Sequence, residues 1–399
     1  MPNHPTNPNV RLHDRFFYLD PHPHFRWLRE NAPVYWDATA DGGLWGVACY
    51  DDVMAVSRDH ETFCSGKSSR PERDSWIPSM INLDDPLHKR RRNLVNRGFT
   101  PKRVEAHEPM LRALTNELLD KVEPAGRCDF VLDVARWIPM VVIGDMLGVA
   151  PEDREQLLVW SDEMLGGGES QKIADDEQRR LRQREVVNGY FAYAAASLAE
   201  RRVRPRDDLM SILAHAEVEG DRLTDEEILQ ESLLILIGGD ETTRHVMTGG
   251  LFELLRRPAQ QKLLAENAAL IPSAVEEMLR WVSPIQNMNR TATRDTELRG
   301  QKIRAGDRLL LLYPSANRDA AAFERADELD VTRYPNRHVA FGGFGTHHCL
   351  GASLARLELR VLLEELLRRF PNIALDEGEL HVRPSNFIVG LESMPVRLR

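Results

Sequence analysis

Long apolar runs are missing from this 399-residue sequence. The most apolar stretch, Leu233 to Gly239, is far shorter than the roughly 20 residues that a membrane-spanning helix needs. The first residues, Met1 to Val10, are polar and contain no apolar signal-peptide core. The sequence therefore predicts no membrane span and no secretory leader.

Cysteine and excess positive charge are scarce as well. Four cysteines (Cys49, Cys64, Cys128 and Cys349) show no disulfide-framework spacing, which favours a reducing, cytoplasmic location. A formal net charge of −10 argues against general nucleic-acid binding. By contrast, 42% of the residues are hydrophobic, so the chain can bury a large core and is not disordered.

One cysteine lies in a glycine-rich segment that runs from His338 to Gly351. Glycine lets the backbone approach a flat or bulky partner closely. An amphipathic helix pattern begins directly behind the segment, at Ala352, and the positive end of a helix dipole favours the thiolate form of Cys349. A thiolate in a glycine-lined loop suits an iron site, because the anion is the ligand.

Three other interpretations of Cys349 compete with this one. A zinc site is disfavoured, since His347, His348 and Cys349 have no second Cys/His pair at ligand spacing. A nucleophilic cysteine with His347 as its base remains open. A buried cysteine that acts as a small hydrophobe is the usual case, but the clustered glycines and the following helix weigh against it.

The stretch Gly345-Thr-His-His-Cys-Leu-Gly351 resembles the haem-binding loop of cytochrome P450 enzymes. This resemblance implies haem b as the cofactor, Cys349 as the iron ligand and His347 as a contact to a haem propionate. Because Gly343 looks like a one-residue insertion, we expect a bulge between Phe341 and Phe344, either of which can shield the sulfur. His348 adds a polar group beside the sulfur and is expected to alter its redox tuning.

A basic helix start is the second motif. Asp84-Asp-Pro-Leu-His-Lys-Arg-Arg-Arg92 has acids and a proline at its first turn, and His88 and Arg92 share one face at i and i+4. A solvated basic face is the plain interpretation, and an anion-binding pair is the functional one. The stretch resembles the helix of bacterial cytochromes P450 that binds the haem propionates, which implies that role for His88 and Arg92.

The third motif lies inside a helix that a capping box at Thr224 opens and that is predicted to run to about Arg257, some 50 Å. Two glycines in its middle, Gly238 and Gly239, allow either tight packing or room for a flat ligand. The segment resembles the distal helix of cytochromes P450, which implies that Gly239 faces haem. It also implies that Glu241 relays protons and that Thr242 assists O–O bond cleavage.

Three further positions resemble family motifs. Glu277 and Arg280 match a structural ion pair behind the haem, and Arg290 matches an arginine that contacts a propionate. The third member of the ion network is undecided between Arg325 and Arg333.

These motifs follow one another in the family order, so the chain is identified as a member of the cytochrome P450 family. Leu233 to His245 and Gly390 to Pro395 are similar to actinobacterial members that oxidise the side chain of cholesterol. The resemblance implies a mainly α fold with small β-sheets, one domain over residues 1–399, and haem between a long distal helix and a proximal cysteine loop.

The implied activity is monooxygenation by O2 of a large apolar substrate, with the side chain of cholesterol or cholestenone as the first choice. A fatty acid, a terpene or a macrolide or other natural-product intermediate is the alternative. A non-catalytic haem sensor or carrier, and a peroxide-driven enzyme, are disfavoured by the Glu241–Thr242 pair. The predicted pocket lining is Trp76, Ile77, Met80, Leu234, Ile285, Met288, Phe387 and Ile388.

No flavin or iron–sulfur segment is visible in the sequence, so electrons are expected from a ferredoxin and its NAD(P)H-dependent reductase. The expected docking surface is basic, although a solvated basic helix would look the same. It comprises Lys89, Arg90, Arg91, Arg97, Lys102 and Arg103.

Overall fold

A computed structural model describes residues 4–72, 78–218 and 220–399. Helices dominate this part of the chain, which confirms the mainly α prediction. The helices are α1 His22–Asn31, α2 Tyr50–Arg58, α3 Leu87–Val95, α4 Pro101–Ala106, α5 Glu108–Val122, α6 Trp137–Leu147, α7 Arg154–Met164, α8 Gly168–Lys172, α9 Asp176–Val203, α10 Leu209–His215, α11 Asp225–Gly239, α12 Glu241–Leu255, α13 Pro258–Glu266, α14 Ile271–Val282, α15 Tyr313–Ala316 and α16 Ala352–Arg369.

The strands form small sheets at the edges of this helical body. Their bounds are β1 Val34–Asp37, β2 Leu44–Val47, β3 Phe63–Cys64, β4 Arg127–Asp129, β5 Asn287–Ala292, β6 Thr296–Leu298, β7 Gln301–Ile303, β8 Arg308–Leu312, β9 Ala374–Leu375, β10 His381–Val382, β11 Leu391–Ser393 and β12 Pro395–Arg397. The largest sheet has the order β1-β2-β8-β5-β3, in which only β2 and β8 are parallel. Strands β10 and β11 form a separate antiparallel pair.

The main core lies where α12, α14, α16 and α5 pack together. The faces on which these helices meet bury apolar side chains such as Leu251, Met278 and Leu362, each at most 2% exposed. Each such side chain contributes about 1.5–3 kcal/mol when it leaves water. This packing fixes the start of α16, and with it the cysteine loop, against the central helices.

The capping box at Thr224 is present as predicted. The Thr224 hydroxyl accepts from the Glu227 N–H, and the Glu227 carboxylate accepts from the Thr224 N–H. No helix among the described residues combines the length and the apolar content that crossing a bilayer requires.

The predicted central helix is present, with an interruption of one residue. Asp240 separates α11 from α12, with φ −89° and ψ −79°. The Thr242 hydroxyl donates to the Gly238 carbonyl at 2.9 Å, so it occupies an acceptor that a continuous helix offers to a backbone N–H. The Asp240 carboxylate is held by the Ser161 hydroxyl at 2.7 Å, which pulls the break toward α7.

Candidate active site

A cavity of about 1440 Å³, including its mouth, separates the α11–α12 junction from the cysteine loop. Its walls bring together residues from distant parts of the chain, and most of them are apolar. The predicted positions that line it are Met80, His88, Arg92, Leu234, Gly239, Thr242, Ile285, Met288, Arg290, His347 and Cys349.

The cysteine loop holds Cys349 at the cavity wall directly before α16. The Cys349 N–H donates to the Phe341 carbonyl at 2.9 Å, which closes the loop on itself. Desolvation raises the pKa of the Cys349 thiol, while the N–H groups of Gly351 and Ala352 and the nearby Arg92 and Arg356 lower it. The N–H groups at the start of α16 therefore favour the thiolate, while desolvation favours the thiol.

The predicted bulge between Phe341 and Phe344 has a definite shape. Gly342 (φ +97°) and Phe344 (φ +56°) both adopt left-handed backbone conformations. Phe344 turns outward, is 46% exposed and stacks on His348 with ring centroids 5.6 Å apart. Phe341 lines the cavity and lies under the Arg356 guanidinium. Phe341 is therefore the phenylalanine on the sulfur side.

Four basic side chains gather on the cavity wall near the loop. The His88 and His347 rings lie 4.1 Å apart, and Arg92 donates to the His348 carbonyl at 2.5 Å. Burial, together with Arg290, His88 and Arg92, lowers the pKa of His347 to about 2, so its ring is neutral. Within the described ranges, neither Arg92 nor Arg290 has a carboxylate at ion-pair distance. Two cavity-facing guanidiniums without counterions suit the carboxylates of an anionic ligand.

The two central glycines have different environments. A Cβ added at Gly238 meets no atom within 4 Å, whereas one at Gly239 comes within 2.9 Å of Ile143 Cδ1. Gly239 reaches the cavity with its backbone, but its missing side chain makes room for Ile143. Gly238 therefore leaves open space for a flat ligand beside Gly239 in the cavity wall.

Opposite the sulfur, Thr242 lines the cavity and Glu241 does not. Glu241 is fully buried, and its Oε1 accepts from Arg244 Nη2 at 2.9 Å and from Arg383 Nη2. Burial raises the pKa of Glu241 to about 7 against the opposing effect of these two guanidiniums. The carboxyl next to Thr242 therefore changes protonation near neutral pH.

Arg383 was not predicted from the sequence. It belongs to the segment between β10 and β11, it is 142 residues from Glu241, and it matches no motif. Arg383 is 6% exposed and forms an ion pair with Glu241. Both properties arise from tertiary contacts, which the sequence does not indicate.

The structural ion network is complete and contains Arg333. Glu277 and Arg280 are fully buried and joined by two bonds of 2.8 Å, and Arg333 Nε donates to Glu277 at 3.1 Å. Arg325 instead pairs with Asp330 and Glu328 at the surface.

The predicted substrate lining divides into three groups. Met80, Leu234, Ile285 and Met288 line the cavity, and Trp76 and Ile77 lie outside the described residues. Phe387 and Ile388 are not among the described residues that line this cavity. The Phe387 ring is covered by the Arg70 guanidinium at 3.5 Å, and Ile388 is buried in a backbone bridge to Ile285.

Part of the predicted basic docking surface is already occupied. Arg90 pairs with Asp221 and Glu227, and Arg91 pairs with Glu227 and Glu231. Arg103 likewise pairs with Asp207. The remaining exposed cations are Lys89, Arg97 and Lys102.

These features fit a flat, anionic cofactor with a thiolate-bound metal. Cys349 supplies a sulfur at one wall, and the open space at Gly238 admits a flat ring. Arg92 and Arg290 face the cavity with no carboxylate of the described residues at ion-pair distance. Haem b has this combination of iron, flat ring and two carboxylates.

Comparisons with known proteins agree over most of the chain. A family model described as Cytochrome P450 matches residues 176–396. A steroid C26-monooxygenase of Mycobacterium tuberculosis (strain ATCC 25618 / H37Rv) is 46% identical over 393 residues, covering 98% of this chain and 97% of that protein. A methyl-branched lipid omega-hydroxylase of Mycobacterium bovis (strain ATCC BAA-935 / AF2122/97) is 38% identical, covering 93% of this chain and 90% of that protein.

The fold agrees with solved structures as well. CYP109E1 of Bacillus megaterium in complex with testosterone superposes with a TM-score of 0.86 at 36% sequence identity, covering 95% of this chain and 99% of that chain. Similarity in sequence and in structure therefore extends over nearly the whole length.

Proposed function

This chain belongs to the cytochrome P450 family and is a haem b monooxygenase, and from this premise we propose that it hydroxylates the side chain of a sterol or steroid, such as cholesterol or cholestenone. The observation that carries the proposal is the 46% identity, over 98% of this chain, to a protein named steroid C26-monooxygenase. The apolar lining contributed by Met80, Leu234, Ile285 and Met288 supports a large apolar substrate.

Different cavity residues are proposed to bind different parts of the haem. Cys349 is the proposed iron ligand, and Arg92, Arg290, His88 and His347 are the proposed contacts to the haem carboxylates. When bound, haem supplies the oxygen activation by which one atom of O2 enters a C–H bond and the other leaves as water. The protein orients the substrate chain and excludes water from it through the apolar wall.

Thr242 and Glu241 are the proposed proton-delivering pair. Thr242 faces the cavity, and its hydroxyl donates to the Gly238 carbonyl. Glu241 is the preceding residue and lies deeper in the interior. A buried carboxyl with a pKa of about 7 both takes up and releases protons at neutral pH, as proton transfer requires.

The second candidate substrate is a methyl-branched lipid. The relative named methyl-branched lipid omega-hydroxylase favours it, because an omega position and sterol C26 are both chain-terminal carbons. The same apolar cavity suits the chain of either substrate. The two candidates therefore differ in whether the cavity must also accommodate a ring system.

A spectral titration of the ferric enzyme separates the two candidates. We expect cholestenone to give a type-I spin shift with a Kd at least about tenfold below that of a branched-chain fatty acid, since a ring system buries more apolar area. Product analysis after turnover then locates the hydroxyl group. A spin shift with the fatty acid and none with any sterol contradicts the sterol proposal and favours the lipid.

For electron supply, we propose a ferredoxin that docks on the exposed cations Lys89, Arg97 and Lys102. Lys102 lies on α4, which packs against α16 close behind the cysteine loop. An acidic partner at this face would approach the sulfur side of the cavity.

A further inference from the structure

A cluster of polar side chains leads from Glu241 toward the protein surface. One ligand-type atom from each of Glu241, His245 and Glu392 lies within 4.8 Å of the other two. His245 is on α12 and is 1% exposed, whereas Glu392 is on β11 with 30% of its side chain exposed. The cluster therefore spans the distance from a fully buried carboxyl to solvent.

Several atoms of this cluster have no hydrogen-bond partner among the described residues. They are Glu241 Oε2, Glu392 Oε1 and both ring nitrogens of His245. Glu392 Oε1 lies 3.7 Å from Arg383 Nη2, in an ion pair. Buried polar atoms are nearly always paired, so the other three atoms need a physical explanation. Gly390 makes room for the ring, because a Cβ at that position would lie 2.1 Å from His245 Nδ1.

A metal ion is a poor explanation. Two carboxylates and an imidazole are suitable ligands in type, but Arg244 and Arg383 both donate to Glu241 Oε1. Two guanidiniums at this distance repel a divalent cation strongly in a buried setting. The oxygen and nitrogen atoms of the cluster are instead suited to bind and release protons.

We propose that Glu392, His245 and Glu241 form the route by which protons enter the active site from solvent. The inference rests on the proposed role of Glu241. In each transfer Glu392 takes a proton from water and passes it to one ring nitrogen of His245, through one bridging water at each step because the atoms lie up to 4.8 Å apart. The same nitrogen releases the proton to Glu241 Oε2, and Glu241 passes it to its neighbour Thr242, which lines the cavity. All three groups return to their starting states, and monooxygenation consumes two such protons per turnover.

The charges around the route suit this transfer. Arg244 and Arg383 hold Glu241 by Oε1 and leave Oε2 free, while Asp162 neutralises Arg244. Burial, followed by Arg244 and Arg383, lowers the pKa of His245 well below its usual value. The ring is therefore neutral at rest, and a proton that reaches it is not retained there.

Hydrogen–deuterium exchange of the Glu241 carboxyl tests the route without turnover. In the ferric holoenzyme near pH 6, the infrared C=O band that is lost in Glu241→Gln reports the protonated acid. The rate at which this band shifts after transfer to D2O measures proton access. A missing band contradicts the proposal, because Glu241 would then hold no proton to deliver.

We expect Glu392→Gln to slow this exchange by on the order of tenfold or more, because it removes the acid at the solvent end. His245→Phe, which keeps a ring but removes both nitrogens, should slow it as well. Glu379→Gln is the matched control, because Glu379 is an exposed carboxylate in the same C-terminal region. Exchange in Glu392→Gln at the wild-type rate overturns the route.

The outcome is independent of the substrate proposal. The exchange is measured without substrate and without ferredoxin, so a failed sterol titration leaves it unchanged. Glu241→Gln could turn over substrate at the wild-type rate while Glu392→Gln slows exchange. This result would contradict the proposed role of Glu241 in proton delivery but would still support the route by which protons reach Glu241.

Discussion

At the residue scale, the decisive group is the Glu241 carboxyl. It is fully buried, two guanidiniums hold one of its oxygens, and its pKa nevertheless rises to about 7. Desolvation of the charged form thus outweighs two ion pairs, as is common for a carboxyl without access to water. Because these two large effects oppose each other, a small change in the surroundings of Glu241 changes the pKa of its carboxyl.

The raised pKa makes a prediction about stability and pH. The folded protein binds the Glu241 proton more tightly than the unfolded chain, so this contribution is complete below about pH 4.5 and is lost as the pH rises through about 7. The full contribution is on the order of 3 kcal/mol. We therefore expect Glu241→Gln to lose less stability than the wild type between pH 5 and pH 8.

Urea unfolding followed by tryptophan fluorescence at a series of pH values measures this difference. Glu379→Gln should keep the wild-type dependence, since this side chain is exposed. Parallel curves for the wild type and Glu241→Gln would contradict the environment described for the carboxyl.

A second prediction distinguishes the two arginines that the sequence left open. Arg333→Ala removes a charged hydrogen bond to the fully buried Glu277 and should cost about 2–3 kcal/mol. Arg325→Ala removes surface pairs only and should leave the unfolding midpoint unchanged. Equal unfolding midpoints for the two variants would show that Arg333 does not stabilise the network.

At the element scale, the break at Asp240 shows what a sequence pattern can and cannot predict. The capping box and the helical period of α11 are local, so both were predicted. The contacts at the break come from the Ser161 hydroxyl, 79 residues away, and from a side-chain bond of Thr242 to a backbone carbonyl. Periodicity carries no information on either contact.

The same distinction holds across the candidate site. Cys349, His88 and Arg92 lie in motifs whose residues are close in sequence, and the folded chain brings them to one cavity. Arg383 reaches Glu241 from 142 residues away, and no spacing rule could have found it. Arg70, from a distant loop, covers the Phe387 ring, which the sequence does not indicate either.

The two glycines at the end of α11 give a paired prediction. Gly238→Val should leave the stability of the apoprotein nearly unchanged but lower its haem affinity about tenfold or more, because the new side chain enters open space. Gly239→Val should cost about 1–3 kcal/mol of apoprotein stability, because its Cβ overlaps Ile143.

Haem titration and urea unfolding of both apoproteins measure the two effects. The reverse pattern, with Gly239→Val impaired mainly in haem binding, would mean that Gly239 faces the cofactor.

At the scale of the whole molecule, charge is distributed unevenly. The net charge is −10, yet Lys89, Arg97 and Lys102 remain exposed near α3 and α4 after Arg90, Arg91 and Arg103 are paired. A local cation group on an acidic protein directs an acidic partner to one face and speeds association.

This distribution predicts that Arg97→Glu combined with Lys102→Glu raises the KM for ferredoxin about tenfold at low ionic strength, with kcat nearly unchanged. The effect should shrink as salt is added, because exposed charges are screened. Lys302→Glu, an exposed lysine on β7, is the control. Steady-state turnover against ferredoxin concentration gives both constants, and an unchanged KM in the double variant contradicts this docking face.

The Arg383–Glu241 pair also has a consequence for how the chain is made. A ribosome that adds about 5–20 residues per second produces Arg383 roughly 7–28 s after Glu241, because 142 residues separate them. Throughout this interval the carboxyl has only Arg244 as a nearby counterion on its own helix. The ion pair between Arg383 and Glu241 is therefore a late contact, which forms only after the segment between β10 and β11 has been synthesised.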